Sequence, residues 1–203
     1  MSAGRTATAL YSPAVRRYSL LAALLAPLLL TAAGAAPEVE RSAPRESSNL
    51  VLAGKHLSIA YGRPVLRGRT MFGVLVPWGE IWRTGADEAT KLSTESDLRF
   101  GEFALPKGNY AVFTIPGERD WQLVLNKTAD QWGAFNYDPA EDALRLPMRR
   151  DSLAAPIDRL SIALTARGEA AGTLWIGWET TVVSADFELT PEPPAAAPEA
   201  PPQ

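Results

Sequence analysis

The sequence predicts an all-β chain, an antiparallel β-sandwich or jelly roll of about nine strands with short helical turns. Two observations carry that expectation. Apolar residues recur mostly with period two, as they do on strands with one buried face. Turn-forming clusters of Gly, Pro and acidic residues separate these runs at short, regular spacing.

In chain order, Leu57, Ile59 and Tyr61 alternate with Ser58 and Ala60. Phe100-Gly101-Glu102-Phe103 reads as a hairpin connection. Leu105-Pro106-Lys107-Gly108 suits a type I turn. Ile115-Pro116-Gly117-Glu118 suits type II, with glycine accepting a positive φ at the third position. Trp121 to Asn126 is rich in strand formers. Thr128-Ala129-Asp130-Gln131 and Asp138-Pro139-Ala140-Glu141 resemble capping boxes of two short helical turns. Leu160, Ile162 and Leu164 alternate with Arg159, Ser161 and Thr165. After a turn at Arg167-Gly168-Glu169, Leu174, Ile176 and Trp178 form the last alternating set.

The ends have another character. Arg5, Arg16 and Arg17 precede the short apolar run Leu20 to Leu30, and Ala33-Gly34-Ala35 offers small residues for cleavage. Residues 1–35 are expected to be a signal peptide, cleaved after Ala35 or Ala36, with the site before Pro37 disfavoured. The run is too short for a comfortable membrane span. An uncleaved anchor and a twin-arginine signal are the alternatives. Residues 36–49 read as a polar spacer and 50–189 as the β-sandwich domain. Residues 190–203 read as a disordered Pro/Ala-rich tail. The expected location is periplasmic or secreted, with no stable membrane span after signal cleavage.

The chain has no cysteine, which excludes disulfides, thiolate metal sites and a lipid-anchored cysteine. Its formal charge is −3, and removal of residues 1–35 deletes three arginines and no acids, giving −6. That balance argues against nucleic-acid binding. No cofactor is implied, since there is no phosphate loop, dinucleotide fingerprint or paired-histidine motif. His56 is the single histidine and reads as a surface or edge residue on a strand.

One stretch, Tyr61 to Thr90, has neither period, and irregular segments on rigid scaffolds commonly carry sites. The candidate ligand-binding residues are Arg63, Arg69, Trp82, Arg83, Glu88 and Trp132. Guanidinium groups and Glu88 would supply charge-assisted hydrogen bonds, and Trp82 or Trp132 would stack on the ligand. Each has a plainer reading. The tryptophans fill cores well, and Arg83 would pair with Glu88 to tie down a loop. Asp138, Glu141 and Asp142 are a weak calcium candidate, already explained by capping.

Within and beyond that stretch lie Tyr61-Gly62-Arg63-Pro64, Gly68-Arg69, Phe72-Gly73, Leu75-Val76-Pro77, Trp82-Arg83-Thr84-Gly85-Ala86 and Glu88-Ala89-Thr90. Leu105-Pro106, Gly108, Tyr110, Phe113 to Gly117, Trp121, Asn126, Trp132-Gly133, Tyr137-Asp138, Asp142 and Leu144-Arg145 continue the pattern. Together they resemble a bacterial family catalogued as domain of unknown function 2911. The resemblance implies an exported β-rich domain and supplies no catalytic residues. Two positions depart from the family's usual pattern: Trp78 stands where tyrosine is usual, and Asp87 where asparagine is usual. If relatives bind an anion at this signature, Asp87 should weaken that here.

Three functions follow as expectations. The leading one is a non-enzymatic ligand-binding or envelope-interaction module, holding a small polar or carbohydrate-like ligand. The second is a carboxylate-dependent hydrolase of envelope polymers, with Asp87 or Glu88 as acid or base and Asp138 or Asp142 as the second carboxyl group. The third is a structural domain in which the signature loop plugs an open end of the sandwich.

Overall fold

The computed structural model describes residues 41–190. They belong to the second of two compact units, Val39–Gln203; residues 1–35, expected to be a signal peptide, and the tail after Thr190 lie outside the described residues. Nine strands are present: β1 (Arg45–Leu52), β2 (Lys55–Gly62), β3 (Thr90–Thr94), β4 (Leu98–Phe100), β5 (Phe103–Leu105), β6 (Gly108–Ile115), β7 (Trp121–Asn126), β8 (Asp142–Ala166) and β9 (Ala171–Leu189). All pair antiparallel, in the order β1-β2-β3-β6-β7-β8-β9-β4-β5.

The open sheet folds over on itself because β8 serves both halves. Its first part pairs with β7, and from Arg149 onward it pairs with β9. Between Ser152 and Ser161 the register shifts twice, and irregularities of this kind bend a strand. The second half then lies over β1 and β2: Leu164 N donates to Ser48 Oγ at 3.0 Å, and Leu160 N to Pro64 O at 3.0 Å. Side chains of the two layers meet in one core. Leu57, Ile59, Leu92 and Leu123 come from one layer, and Leu160, Leu174, Ile176 and Trp178 from the other. The period-two sets of β2, β8 and β9 supply many of these contacts, as their alternation requires.

Central β6 is buried on both faces. Val112 points into the main core, while Ala111 and Phe113 pack with Ala89 and Val124 under Ile81, Ala134 and Tyr137. The irregular segments therefore cover the outer face of β6, an interior strand of the sheet.

Several turns differ from expectation. Gly117 has a negative φ, so the turn is not type II. A Cβ there would lie 2.3 Å from Asp120 O, so close backbone approach is what demands glycine. Residues 128–131 form no helix. Their end is held as a strand partner: Gln131 O accepts from Ala89 N, and Glu88 bridges Trp132. The second capping motif does form a short 3-10 turn, Pro139–Glu141, with Asp138 accepting from Ala140 N. The spacer boundary also moves. Residues 45–49 belong to β1, which pairs along its whole length with β2 through a two-residue turn, Ala53-Gly54, both at positive φ.

Candidate functional site: an arginine-lined cleft under the signature loop

The loop from Tyr61 to Thr90 is anchored at several points. Trp82 exchanges backbone hydrogen bonds with Thr114 of β6, at 2.8 and 2.9 Å. Its ring is 6% exposed, stacked at 5.9 Å on Trp178 and edge-on to Phe72. Phe72 also meets Trp121 edge-on at 4.8 Å and Trp178 at 6.0 Å. To this extent the loop is a plug. Met71 N donates to Glu179 Oε1, while Glu179 itself sits at φ 52° in the last strand. At the base of the loop Gly62 passes under Ala86, and a Cβ there would lie 2.1 Å from Ala86 O.

Between the loop and the second layer runs a cleft of about 490 Å³, within the range of small-molecule sites. Four arginines line it, Arg63, Arg67, Arg69 and Arg83, against one glutamate, Glu80. Leu75, Val76, Pro77, Ile81 and Trp82 form much of its apolar wall.

The arginines are not equivalent. Arg63 Nε donates to Leu160 O at 3.1 Å, and its Nη1 reaches Glu46 at 3.1 Å. Arg69 donates to Leu66 O and Val65 O, both at 2.9 Å. Arg67 is exposed at the rim, with φ 51°. Arg83 is half-buried, and its Nε is shielded from solvent with no hydrogen-bond partner. Burial lowers the Arg83 pKa from its ordinary value, an effect only partly offset by the charge of Asp87. A desolvated guanidinium with an open donor is costly unless an acceptor reaches it.

The backbone around Arg83 is unusual. Thr84 has φ 55° and Asp87 φ 63°, and left-handed geometry is rare for β-branched threonine. Thr84 is fixed by hydrogen bonds from its Oγ1 to Trp82 O and Thr114 Oγ1, and by Thr90 Oγ1 donating to Thr84 O. The strained pair holds Arg83 over the cleft and turns Asp87 the other way.

Asp87 does not serve the cleft directly. Its carboxylate accepts from Ser42 N at 2.9 Å, Ser42 Oγ at 2.8 Å and Ala43 N at 3.1 Å. The segment Ser42-Ala43-Pro44 is thereby clasped against the loop and becomes part of the cleft wall. An asparagine would bring one acceptor oxygen to this position, where the carboxylate has two.

The structure separates the six sequence candidates. Arg63, Arg69, Trp82 and Arg83 line the cleft, although both the ring stacking and the burial of Trp82 leave little of it to a ligand. Glu88 and Trp132 lie elsewhere, on a shallow depression with Lys91 and Asp130. The expected Arg83 to Glu88 tie is not made. Glu88 instead pairs with Arg41 at 2.6 Å and Arg45 at 3.0 Å. The Arg41 hydrogen bond is the main cause that holds the Glu88 carboxyl below its ordinary range. Trp132 is 40% exposed. Arg67, Glu80 and Ser42 to Pro44 were missed. Arg67 and Glu80 carry no spacing signal, and the short polar segment before β1 has no period.

The remaining carboxylates are engaged. Asp142 accepts from Tyr137 Oη at 2.7 Å, Asn126 Nδ2 at 3.0 Å and Arg145 Nη2 at 3.0 Å. Burial and the Asp142 hydrogen bond push the Tyr137 hydroxyl up to about 12. His56 is exposed near the start of β2. Among the described residues no group of three or more His, Asp or Glu is placed to hold a metal ion, and no helix is long and apolar enough to cross a membrane.

Residues 43–187 match the family described as Protein of unknown function (DUF2911). The chain belongs to this family. The matched span runs from the clasped Ala43 to Phe187 of β9, so it takes in the cleft and both layers of this DUF2911 domain. No curated protein and no solved structure gives a match.

Proposed function

We infer that this DUF2911 domain is a non-enzymatic binding module whose arginine-lined cleft accepts a small polar ligand. One observation carries the inference: Arg83 lines an open cleft with a guanidinium that the fold leaves unmatched, its shielded Nε without a partner, on a backbone held in strained geometry. A pure plug would have matched that donor internally, as it does for Arg63 and Arg69. A thermal-shift screen of small molecules, with a glycan array beside it, tests the reading. A ligand that raises the melting temperature and is lost in Arg83→Gln supports it. The absence of any Arg83-dependent ligand overturns it.

The hydrolase reading draws less support. Glu88 is held ionised by Arg41 and Arg45, which unfits it as a proton donor at neutral pH. Asp87, Asp138 and Asp142 are each committed to donors of the fold.

We also propose that the protein is exported to the periplasm or beyond the cell. The basic residues before Leu20 to Leu30 and the small residues at Ala33 to Ala36 support this. N-terminal sequencing of the protein from fractionated cells should begin at Ala36 or Pro37. A chain retained in the cytoplasm with its first residues intact would refute export.

A further inference from the structure

The cleft is two-sided in its chemistry. Four arginines line it, Arg83 more buried than Arg67 and Arg69, together with the apolar Leu75, Val76, Pro77 and Ile81. Leu75 is 52% exposed and its neighbour Val74 is exposed as well, so the apolar side continues to the rim. The excess of cations over the single Glu80 occurs in a chain whose formal charge is negative. Asp87, the acid that would oppose an incoming negative charge, is covered by three donors from Ser42 and Ala43.

Resting on the binding reading above, we propose that the ligand of the cleft is an organic anion: a carboxylate carried on an apolar aliphatic or aromatic body. The carboxylate takes the terminal Nη donors of Arg83, beyond the shielded Nε, and the two Nη groups present parallel donors that match its two oxygens. Arg67 at the rim adds long-range attraction without a fixed contact. The apolar body lies along Leu75, Pro77 and Ile81, where burial of its surface adds affinity. Neutral sugars satisfy neither side, since they bring no charge to Arg83 and little apolar surface to the wall.

Isothermal titration calorimetry of the full chain at low salt tests this with benzoate, octanoate, benzamide, glucose and inorganic phosphate. Benzoate or octanoate should bind saturably, and binding should weaken as sodium chloride is raised. Arg83→Gln should weaken it about tenfold or more, and Arg67→Ala only about threefold. Arg83→Lys keeps the charge and loses the fork, so it should fall between wild type and Arg83→Gln. Circular dichroism melts of each variant establish that it is folded, and Arg149→Gln, at an exposed site away from the cleft, should leave binding unchanged. Arg83-dependent binding of benzamide or glucose as tight as that of benzoate would overturn the anion proposal and leave the binding module standing. Inorganic phosphate binding where both carboxylates fail would overturn the organic body. If neither carboxylate binds, the proposal fails, and the thermal-shift screen then decides separately whether the cleft binds anything.

Discussion

At the residue scale, Arg83 and Asp87 make opposite predictions although they are four positions apart. The guanidinium of Arg83 is desolvated without a partner, so the apolar Arg83→Met should leave stability unchanged or raise it by about 1 kcal/mol. Urea denaturation checks this, and a loss of about 3–5 kcal/mol would mark Arg83 as an internal tie of the fold. Asp87→Ala strands the amides of Ser42 and Ala43, and should cost about 2–3 kcal/mol in the same measurement. Asp87→Asn keeps one acceptor and should cost less. Glu88 is partly exposed, and Glu88→Gln should cost no more than about 1 kcal/mol. The folded-state pKa of Glu88 lies below its ordinary 4.5. Its contribution is therefore full above about pH 5 and is lost as pH falls through the depressed folded value. Stability of wild type and Glu88→Gln should converge in acid, as denaturation at several pH values will read.

At the scale of elements, the signature loop shows what a sequence can and cannot disclose. The alternating sets of β2, β8 and β9 were legible because burial on one face of a pleated strand imposes period two on the residues themselves. The loop has no such period. Its shape comes from contacts distant in sequence: Trp82 on Thr114, Phe72 among Trp82, Trp121 and Trp178, and Asp87 on Ser42. Composition marked the stretch as unusual and named four of the cleft residues. It did not distinguish Arg83, whose Nε has no partner, from Arg63 and Arg69, whose Nε groups donate to main-chain oxygens. Nor did it place Glu88, whose partners come from a segment read as a spacer. Gly117 is a parallel case, where a turn type was read from positive-φ tolerance and the real demand is room beside Asp120. The anchoring also predicts which changes undo the loop. Phe72→Ala should cost about 3–5 kcal/mol by removing the ring on which four tryptophans converge. Gly62→Ala should also destabilise strongly, because the new methyl meets the rigid Ala86 carbonyl.

At the scale of the whole molecule, the described domain is one continuous ladder folded over a single main core, with the cleft set where the loop meets the second layer. Such a body has few options for partial opening, because β8 hydrogen-bonds to β7 in one half and to β9 in the other. The two layers share a backbone as well as a core. Denaturation followed by tryptophan fluorescence and by far-ultraviolet circular dichroism should give coincident transitions, and separate midpoints would contradict the shared ladder. Severing the peptide chain within the irregular stretch between Ser152 and Ile157 would turn one seam into two loose edges. The halves would then be held by the short β9 pairing of Arg149 to Ser152, by side-chain packing and by distant ties such as Ser48 to Leu164. A protease that finds this bend would act on the protein as scissors act on a hinge pin, and the cleft between the leaves would be the first feature to gape.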